Sequence, residues 1–171
     1  MPPSLEQVRL LILDVDGVLT DGRITYADSG EQIKSFLSRD GLGIRLLMDN
    51  GIQVGIITGR TSGALIHRCR NLGIDLVFDG IFDKAGAMDQ VVQRTGIDLS
   101  DMMFMGDDLI DLPAMKRAGV SVAVADAAEE VKSRADIITR ARGGQGAVRE
   151  ICEAILKAKG LWDKALKPFL S

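Results

Sequence analysis

Two aspartates at the end of the first apolar run are the residues best placed for chemistry. Asp14 comes directly after Leu-Leu-Ile-Leu, and Asp16 follows two residues later. The run is typical of a buried strand, which does not end in unpaired carboxylates unless a cation compensates them. Residues i and i+2 of a strand lie on one face. The spacing therefore predicts that both carboxylates line one site, at the carboxyl end of the strand, with a divalent metal as the cation.

Polar residues also follow three later strand-like runs, and in a parallel sheet all these strand ends lie at one edge. They are Thr58, Gly59 and Arg60 after 53–57, Lys84 after 76–78, and Asp107, Asp108 and Asp111 after 102–105. A carboxylate can attack phosphorus, and a second acid can exchange the proton of the leaving group. A hydroxyl, backbone N–H groups and an ammonium can hold the phosphoryl oxygens. The set therefore indicates phosphoryl chemistry.

Short apolar runs alternate with helical patterns along the chain. This alternation predicts an α/β fold, with a Rossmann-like, mostly parallel sheet flanked by helices, in one domain over residues 1–171. The predicted strands are 9–15, 53–57, 76–78, 102–105, 120–124 and 136–138. The predicted helices are 42–50, 63–72, 84–95, 109–118, 127–134 and 146–159.

Two segments depart from the alternation. Residues 20–37 carry a turn signal, Asp28-Ser29-Gly30, between two β-compatible runs, which predicts a β-hairpin inserted after the first strand. The tail, residues 160–171, holds the only tryptophan, Trp162, and several other apolar residues. We expect so apolar a tail to be packed rather than free in water.

The composition limits the classes of partner. The net charge of −3 favours neither nucleic acid nor an anionic membrane, and no apolar run approaches the length of a membrane span. The first residues lack the basic and apolar segments of a signal peptide. The two cysteines, Cys69 and Cys152, form no metal-ligand cluster and fit a reducing compartment. We expect a cytoplasmic protein that binds a small anion.

The four polar groups, in this order, resemble the four motifs of the haloacid dehalogenase superfamily. The matching segments are Asp14-Val15-Asp16-Gly17-Val18, Thr58, Lys84, and Gly106-Asp107-Asp108 with Asp111. The resemblance implies that Asp14 is the nucleophile and that Asp16 is the general acid/base. An acid two residues after the nucleophile favours phosphatases over the dehalogenase branch.

The same resemblance assigns the remaining site residues. It implies that Thr58 and Lys84 bind phosphate, and that Mg²⁺ is held by Asp14, the backbone carbonyl of Asp16, and Asp107. It further implies that Asp108 and Asp111 support this metal shell and orient Lys84.

A narrower resemblance covers most of the chain, from about residue 8 to residue 159. The segments 14–22, 58–60, 106–113 and 143–150 are similar to those of sugar-acid phosphatases of this superfamily. Such enzymes are magnesium-dependent homotetramers that hydrolyse 3-deoxy-D-manno-octulosonate 8-phosphate in lipopolysaccharide precursor synthesis. Close relatives act on nine-carbon, sialic-type acid 9-phosphates, which leaves that substrate class as an alternative.

The motif spacing leaves no room for a large cap domain. The interval from Asp16 to Thr58 holds only the hairpin and one helix, and that from Thr58 to Lys84 only one helix and one strand. Either the substrate is large or a neighbouring subunit forms the lid. We expect a homotetramer built around the hairpins, because exposed strand edges pair readily. Arg60, next to Gly59 at the mouth of the site, is expected to grip a substrate carboxylate.

Other interpretations of the same residues are weaker. A calcium-binding EF-hand loop starting at Asp14 would need a glutamate at its twelfth position, where Thr25 stands. A response-regulator receiver also combines an aspartate, a hydroxyl, a lysine and magnesium, but its phosphorylated aspartate ends the third strand. A catalytically idle scaffold of the same fold is disfavoured, since every motif residue is present.

Overall fold

The alternation of apolar runs and helical segments produces a central parallel sheet with an inserted hairpin. The computed structural model describes residues 4–170. The strands are β1 (Leu10–Leu13), β2 (Thr25–Tyr26), β3 (Gln32–Ile33), β4 (Gln53–Ile57), β5 (Leu76–Phe78), β6 (Met102–Gly106), β7 (Val120–Ala123) and β8 (Ile137–Ile138). The α-helices are α1 (Ser38–Asp49), α2 (Gly63–Leu72), α3 (Lys84–Thr95), α4 (Leu112–Met115), α5 (Glu129–Lys132), α6 (Ala147–Ala158) and α7 (Trp162–Leu166). Single 3₁₀ turns lie at Leu5–Gln7, Leu99–Asp101, Leu109–Asp111 and Lys167–Phe169.

The sheet order confirms the predicted fold class. Six strands run in the order β5-β4-β1-β6-β7-β8, and every neighbouring pair is parallel. Numbered along the chain without the hairpin, this is the Rossmann order 3-2-1-4-5-6, whereas receivers have the order 2-1-3-4-5. The receiver alternative is therefore not supported. From β1 the chain adds β4 and β5 on one side of the sheet and then β6, β7 and β8 on the other. Ligands of such sheets bind at this switch point, beside β1.

The central strands are buried on both faces. All four residues of β1 and all five of β6 are buried, as expected for parallel strands covered by helices on each side. Glycines in the left-handed region end α2 and α3, at Gly73 and Gly96. Among residues 4–170, no helix combines the length and apolar character that a membrane crossing requires.

Several predicted boundaries were wrong, and each has a local cause. β1 ends at Leu13, not at residue 15, because Val15 begins a tight turn in which its carbonyl accepts from the N–H of Leu19. α1 begins at Ser38, four residues before the predicted 42, because its first turn is polar and gives no apolar signal. The predicted helix 109–118 splits into a 3₁₀ turn at Leu109–Asp111 and α4.

The inserted hairpin is present, and the tail is packed. β2 and β3 pair antiparallel, and the side chains of Tyr26 and Ile33 are exposed. In the tail, α7 buries Ala165, and Trp162 packs against the core, while Phe169 and Leu170 stay exposed. Between β1 and β5 the chain forms only the hairpin, α1, β4 and α2, so no cap domain lies in this part.

Candidate active site

Asp14 lies at the centre of the carboxyl edge of the sheet, directly after β1. Its N–H donates at 3.0 Å to the carbonyl of Met105 in β6, the neighbouring strand of the sheet. This hydrogen bond fixes the backbone where β1 ends. Its Oδ1 accepts from Nζ of Lys84 at 2.6 Å. The side chain is almost fully buried, so this carboxylate is held by a cation rather than by water.

Lys84 connects the ends of three strands. It is the first residue of α3, whose N-cap Asp83 accepts from the N–H of Gly86 at 2.9 Å. Its Nζ donates to Asp14 and, at 2.5 Å, to Oδ1 of Asp111, and its side chain is 0% exposed. An ammonium without solvent requires such paired acceptors, because an unpaired buried charge is costly.

Asp111 and Asp108 organise the loop that follows β6. Oδ2 of Asp111 accepts from the N–H of Asp107 at 2.9 Å and from that of Asp108 at 3.2 Å. Asp108 caps the 3₁₀ turn by accepting from the N–H of Leu109 at 2.8 Å. Both oxygens of Asp111 are therefore engaged by protein donors.

A small cavity brings most of the predicted site residues together. Its volume is about 230 Å³, and its lining is Asp14, Asp16, Gly22, Ile24, Thr58, Gly59, Arg60, Asp107, Asp108 and Ile110. Lys84 lies beneath it, hydrogen bonded to Asp14. Thr58 directly follows β4, and its N–H donates to the carbonyl of Phe78 at 2.9 Å. Asp14 and Asp16 share this cavity through the turn after β1, not through strand alternation, because β1 has already ended.

A second cavity adjoins the first and shares three of its residues. It has a volume of about 480 Å³ and is lined by Gln32, Gly59, Arg60, Thr61, Ile81, Phe82 and Ile110. The exposed Arg60 lies on the wall of both cavities. A ligand larger than phosphate can thus extend from the carboxylates past the Arg60 guanidinium.

Carboxylates outnumber ammonium groups in the first cavity, and the ionisation of the acids reflects this. Burial and the charge of Asp111 raise the pKa of Asp14, Lys84 lowers it, and the net pKa is about 7. Burial and repulsion from Asp14 and Asp111 together raise the pKa of Asp107 to about 8. Burial lowers the pKa of Lys84, but attraction to Asp14 and Asp111 outweighs it, so the net shift is upward. Burial and mutual repulsion of these acids therefore outweigh their attraction to Lys84.

The oxygen atoms suit a hard divalent ion. Asp14, Asp107 and Asp111 each offer a carboxylate oxygen, and these three atoms all lie within 4.8 Å of one another. Mg²⁺ prefers oxygen ligands and is commonly held by one or two carboxylates. Since both oxygens of Asp111 already accept from protein donors, Asp14 and Asp107 are the two carboxylates available to an ion.

Glycines allow the loops around Asp14 to touch. A Cβ on Gly17, whose φ is +97°, would lie 2.0 Å from Oδ2 of Asp107. A Cβ on Gly143 would lie 1.7 Å from the carbonyl oxygen of Gly17, and the N–H of Gly144 donates to the carbonyl of Val18 at 2.9 Å. The loop before α6 therefore braces the turn that carries Asp16. The sequence pattern predicted a helix beginning at residue 146 but not this contact.

Lys34 is a site residue that sequence reasoning missed. It follows β3 in the hairpin, and its Nζ donates to Oδ1 of Asp16. No motif contains it, and a lysine in a hairpin is usually solvated. Only the folding of the hairpin over the turn that carries Asp16 reveals the contact.

Comparisons with known proteins agree with this geometry. A sequence model of the haloacid dehalogenase-like hydrolases matches residues 74–151. A 3-deoxy-D-manno-octulosonate 8-phosphate phosphatase of Escherichia coli K12 is 47% identical over 160 residues, which cover 94% of this chain and 85% of the relative. The same phosphatase from Moraxella catarrhalis, solved in complex with magnesium, phosphate and KDO, has a TM-score of 0.94 at 40% identity, covering 97% of this chain and 95% of that one.

A cobalt-bound deoxy-D-mannose-octulosonate 8-phosphate phosphatase from Haemophilus influenzae also matches, with a TM-score of 0.94 at 44% identity. The match covers 98% of this chain and 99% of that one. Identity at this level over nearly the whole chain, together with the shared fold, shows the family. The chain belongs to the haloacid dehalogenase-like hydrolases, in the group that contains these octulosonate phosphatases.

Proposed function

We propose that this protein is a magnesium-dependent phosphatase that hydrolyses 3-deoxy-D-manno-octulosonate 8-phosphate to the free sugar acid and phosphate. The observation that carries the proposal is the buried Lys84, which holds Asp14 at a cavity that Asp16 also lines. Relatives named for this activity, 47% identical over 94% of the chain, support the substrate. The setting would be lipopolysaccharide precursor synthesis in the cytoplasm.

The reaction would proceed in two displacements at phosphorus. In the first, an oxygen of Asp14 bonds to phosphorus, the bond to the sugar oxygen breaks, and Asp16 donates its proton to that oxygen. In the second, Asp16 takes a proton from water, the water oxygen bonds to phosphorus, and the Asp14–phosphate bond breaks. Both steps need Asp14 and Asp16 on one cavity, as their shared lining of the 230 Å³ site allows.

The remaining site residues would bind the phosphoryl group and the metal. Lys84, the hydroxyl of Thr58 and the backbone at Gly59 would hold the phosphoryl oxygens. Mg²⁺ would be held by Asp14, Asp107 and the backbone carbonyl of Asp16, with Asp111 and Asp108 supporting the loop. The ion would offset repulsion between the anionic nucleophile and the anionic substrate.

A homotetramer with a neighbouring subunit as lid is the second part of the proposal. The chain carries no cap between β1 and β5, and apolar side chains stay uncovered around the two cavities. Phe82 is 91% exposed and Ile110 is 59% exposed. Contiguous exposed apolar surface of this kind marks interaction sites. The hairpin, with Tyr26 and Ile33 exposed, would supply the assembly contacts.

Activity on a set of phosphate esters tests the function. With Mg²⁺, we expect a higher kcat/KM on the eight-carbon sugar-acid phosphate than on a nine-carbon sialic-type acid 9-phosphate or p-nitrophenyl phosphate.

Asp14→Asn should abolish turnover, because an amide does not attack phosphorus, and Asp16→Asn should reduce it about 100-fold or more. Asp49→Asn, an exposed aspartate in α1, is the charge-matched control. Wild-type turnover by Asp14→Asn protein, free of other phosphatases, contradicts the mechanism.

Thermal unfolding in chelator tests the charge balance of the site. The pKa values of Asp14 and Asp107 lie above their ordinary value of 3.8, at about 7 and about 8. Their protonated forms therefore favour the folded state, and this contribution is lost as pH rises from about 4 to about 8. In EDTA, the melting temperature of wild type should fall from pH 6 to pH 8.5 more than that of Asp107→Asn.

Magnesium should reverse this loss. At about one hundred times its Kd the ion adds about 2.7 kcal/mol, which corresponds to roughly 5–10 °C in a chain of this size. The gain should be larger at pH 8.5 than at pH 6, because binding requires ionised carboxylates. If the melting temperatures of wild type and Asp107→Asn changed equally with pH in EDTA, ionisation of these carboxylates would not destabilise the metal-free protein. That result would contradict the prediction.

Arg60→Ala tests recognition of the substrate carboxylate. Hydrogen bonds to charged groups contribute about 1.5–3 kcal/mol, so KM for the sugar-acid phosphate should rise about 10- to 100-fold. KM for p-nitrophenyl phosphate, which has no carboxylate, should change little and serves as the internal control. An unchanged KM for the sugar-acid phosphate would remove Arg60 from substrate recognition.

Light scattering tests the assembly. We expect a tetrameric mass at micromolar concentration, and a smaller mass for Ile33→Glu, which places a charge on the outer face of the hairpin. Ile138→Glu is the matched control, since Ile138 is an equally exposed strand isoleucine outside the hairpin, 50% exposed against 53% for Ile33. A monomeric wild type, or equal dissociation of the two variants, contradicts the proposed assembly.

A further inference from the structure

Lys34 brings the hairpin into contact with the aspartate proposed as proton donor. Its Nζ donates to Oδ1 of Asp16, and its side chain is 3% exposed, against 18% for that of Asp16. The preceding residue, Ile33, is the last of β3 and is 53% exposed. The hairpin therefore turns one cation inward, onto the catalytic turn, and an apolar side chain outward.

This ion pair is not an ordinary stabilising contact. Within residues 4–170, Asp16 is the only ion-pair partner of Lys34, although the ammonium has three donors and almost no solvent. A buried charge with one partner is weak evidence for stability, because its desolvation offsets the attraction. Oδ2 of Asp16 accepts no hydrogen bond from the described residues, whereas Oδ1 is fixed by Lys34.

We propose that Lys34 is a positioning residue for Asp16. It holds the carboxyl group by Oδ1, so that Oδ2 is the oxygen that exchanges protons. Oδ2 gives its proton to the sugar oxygen as the phosphorus–oxygen bond breaks and Asp14 bonds to phosphorus. It then takes a proton from water as the water oxygen displaces Asp14. The assignment rests on the proposed function, in which Asp16 is the acid/base.

The dependence of activity on the leaving group distinguishes a positioning role of Lys34 from a purely structural one. A sugar alkoxide needs a proton as it leaves, whereas p-nitrophenolate leaves without one. The ratio kcat/KM reports the steps up to departure of the leaving group. For Lys34→Met we expect a loss of about 10- to 100-fold in kcat/KM on the sugar-acid phosphate, within the range of a general acid's contribution. On p-nitrophenyl phosphate we expect less than about 3-fold.

Two further variants test whether Lys34 acts through Asp16. In an Asp16→Asn background, Lys34→Met should cost less than about 2-fold on the sugar-acid phosphate, because groups that act as a unit are not additive. Lys34→Arg, which keeps the charge and the donor, should recover most of the lost activity. Arg23→Met removes the other hairpin cation, which is 87% exposed, and should leave the ratio between the two substrates unchanged.

Other results overturn the proposal. Equal losses on both substrates, a loss confined to KM, or a further 10-fold loss in the Asp16→Asn background would show that Lys34 acts apart from Asp16. If Lys34→Met has no cooperative melting transition, Lys34→Leu, which also removes the donor, carries the same comparison. If the wild type does not hydrolyse the sugar-acid phosphate, the proposed function is contradicted instead. Wild type and Lys34→Met are then compared on whichever alkyl phosphate the wild type hydrolyses.

Discussion

A buried ammonium is the interaction on which this site depends. Lys84 comes from the start of α3, and its two carboxylate partners come from the ends of β1 and β6, so one group joins three separate strand ends. Removing one partner from a buried pair costs about 3–5 kcal/mol, a large part of the 5–15 kcal/mol that stabilises a typical protein. Loss of Lys84 would leave both carboxylates buried without their cation, so the fold depends on this residue whether or not substrate is bound.

Close contacts between the loops at Gly17 and Gly143 are the second constraint on the site. Gly17 lies where a Cβ would strike Asp107, and Gly143 lies where a Cβ would strike the carbonyl of Gly17. These contacts hold the turn after β1 between the loop after β6 and the loop before α6. The aspartates of the turn are thus held by backbone packing as well as by charge. Such rigid support is what a catalytic constellation requires.

The hairpin shows how a short insertion can serve two purposes. Tyr26 and Ile33 are both exposed, on opposite faces of the hairpin, since Tyr26 pairs with Gln32 and Ile33 pairs with Thr25. Lys34, directly after β3, is buried and contacts Asp16. The strand signals and the turn at Asp28-Ser29-Gly30 predicted the hairpin correctly. Its position over the catalytic turn could not be predicted, because the orientation of a hairpin is set by packing and not by local propensity.

The sequence by itself determined the order of strands and helices, the residues at the strand ends and the absence of room for a cap. Apolar runs and glycine stops are local signals, so α2, α3 and β4 were predicted with their observed limits. The family resemblance already implied that Asp111 orients Lys84; tertiary structure alone decided that Asp14 shares this lysine and that Lys34 reaches Asp16. These contacts join residues 18 to 70 positions apart in the chain. No local pattern encodes such contacts, because burial and charge compensation arise only when the segments meet.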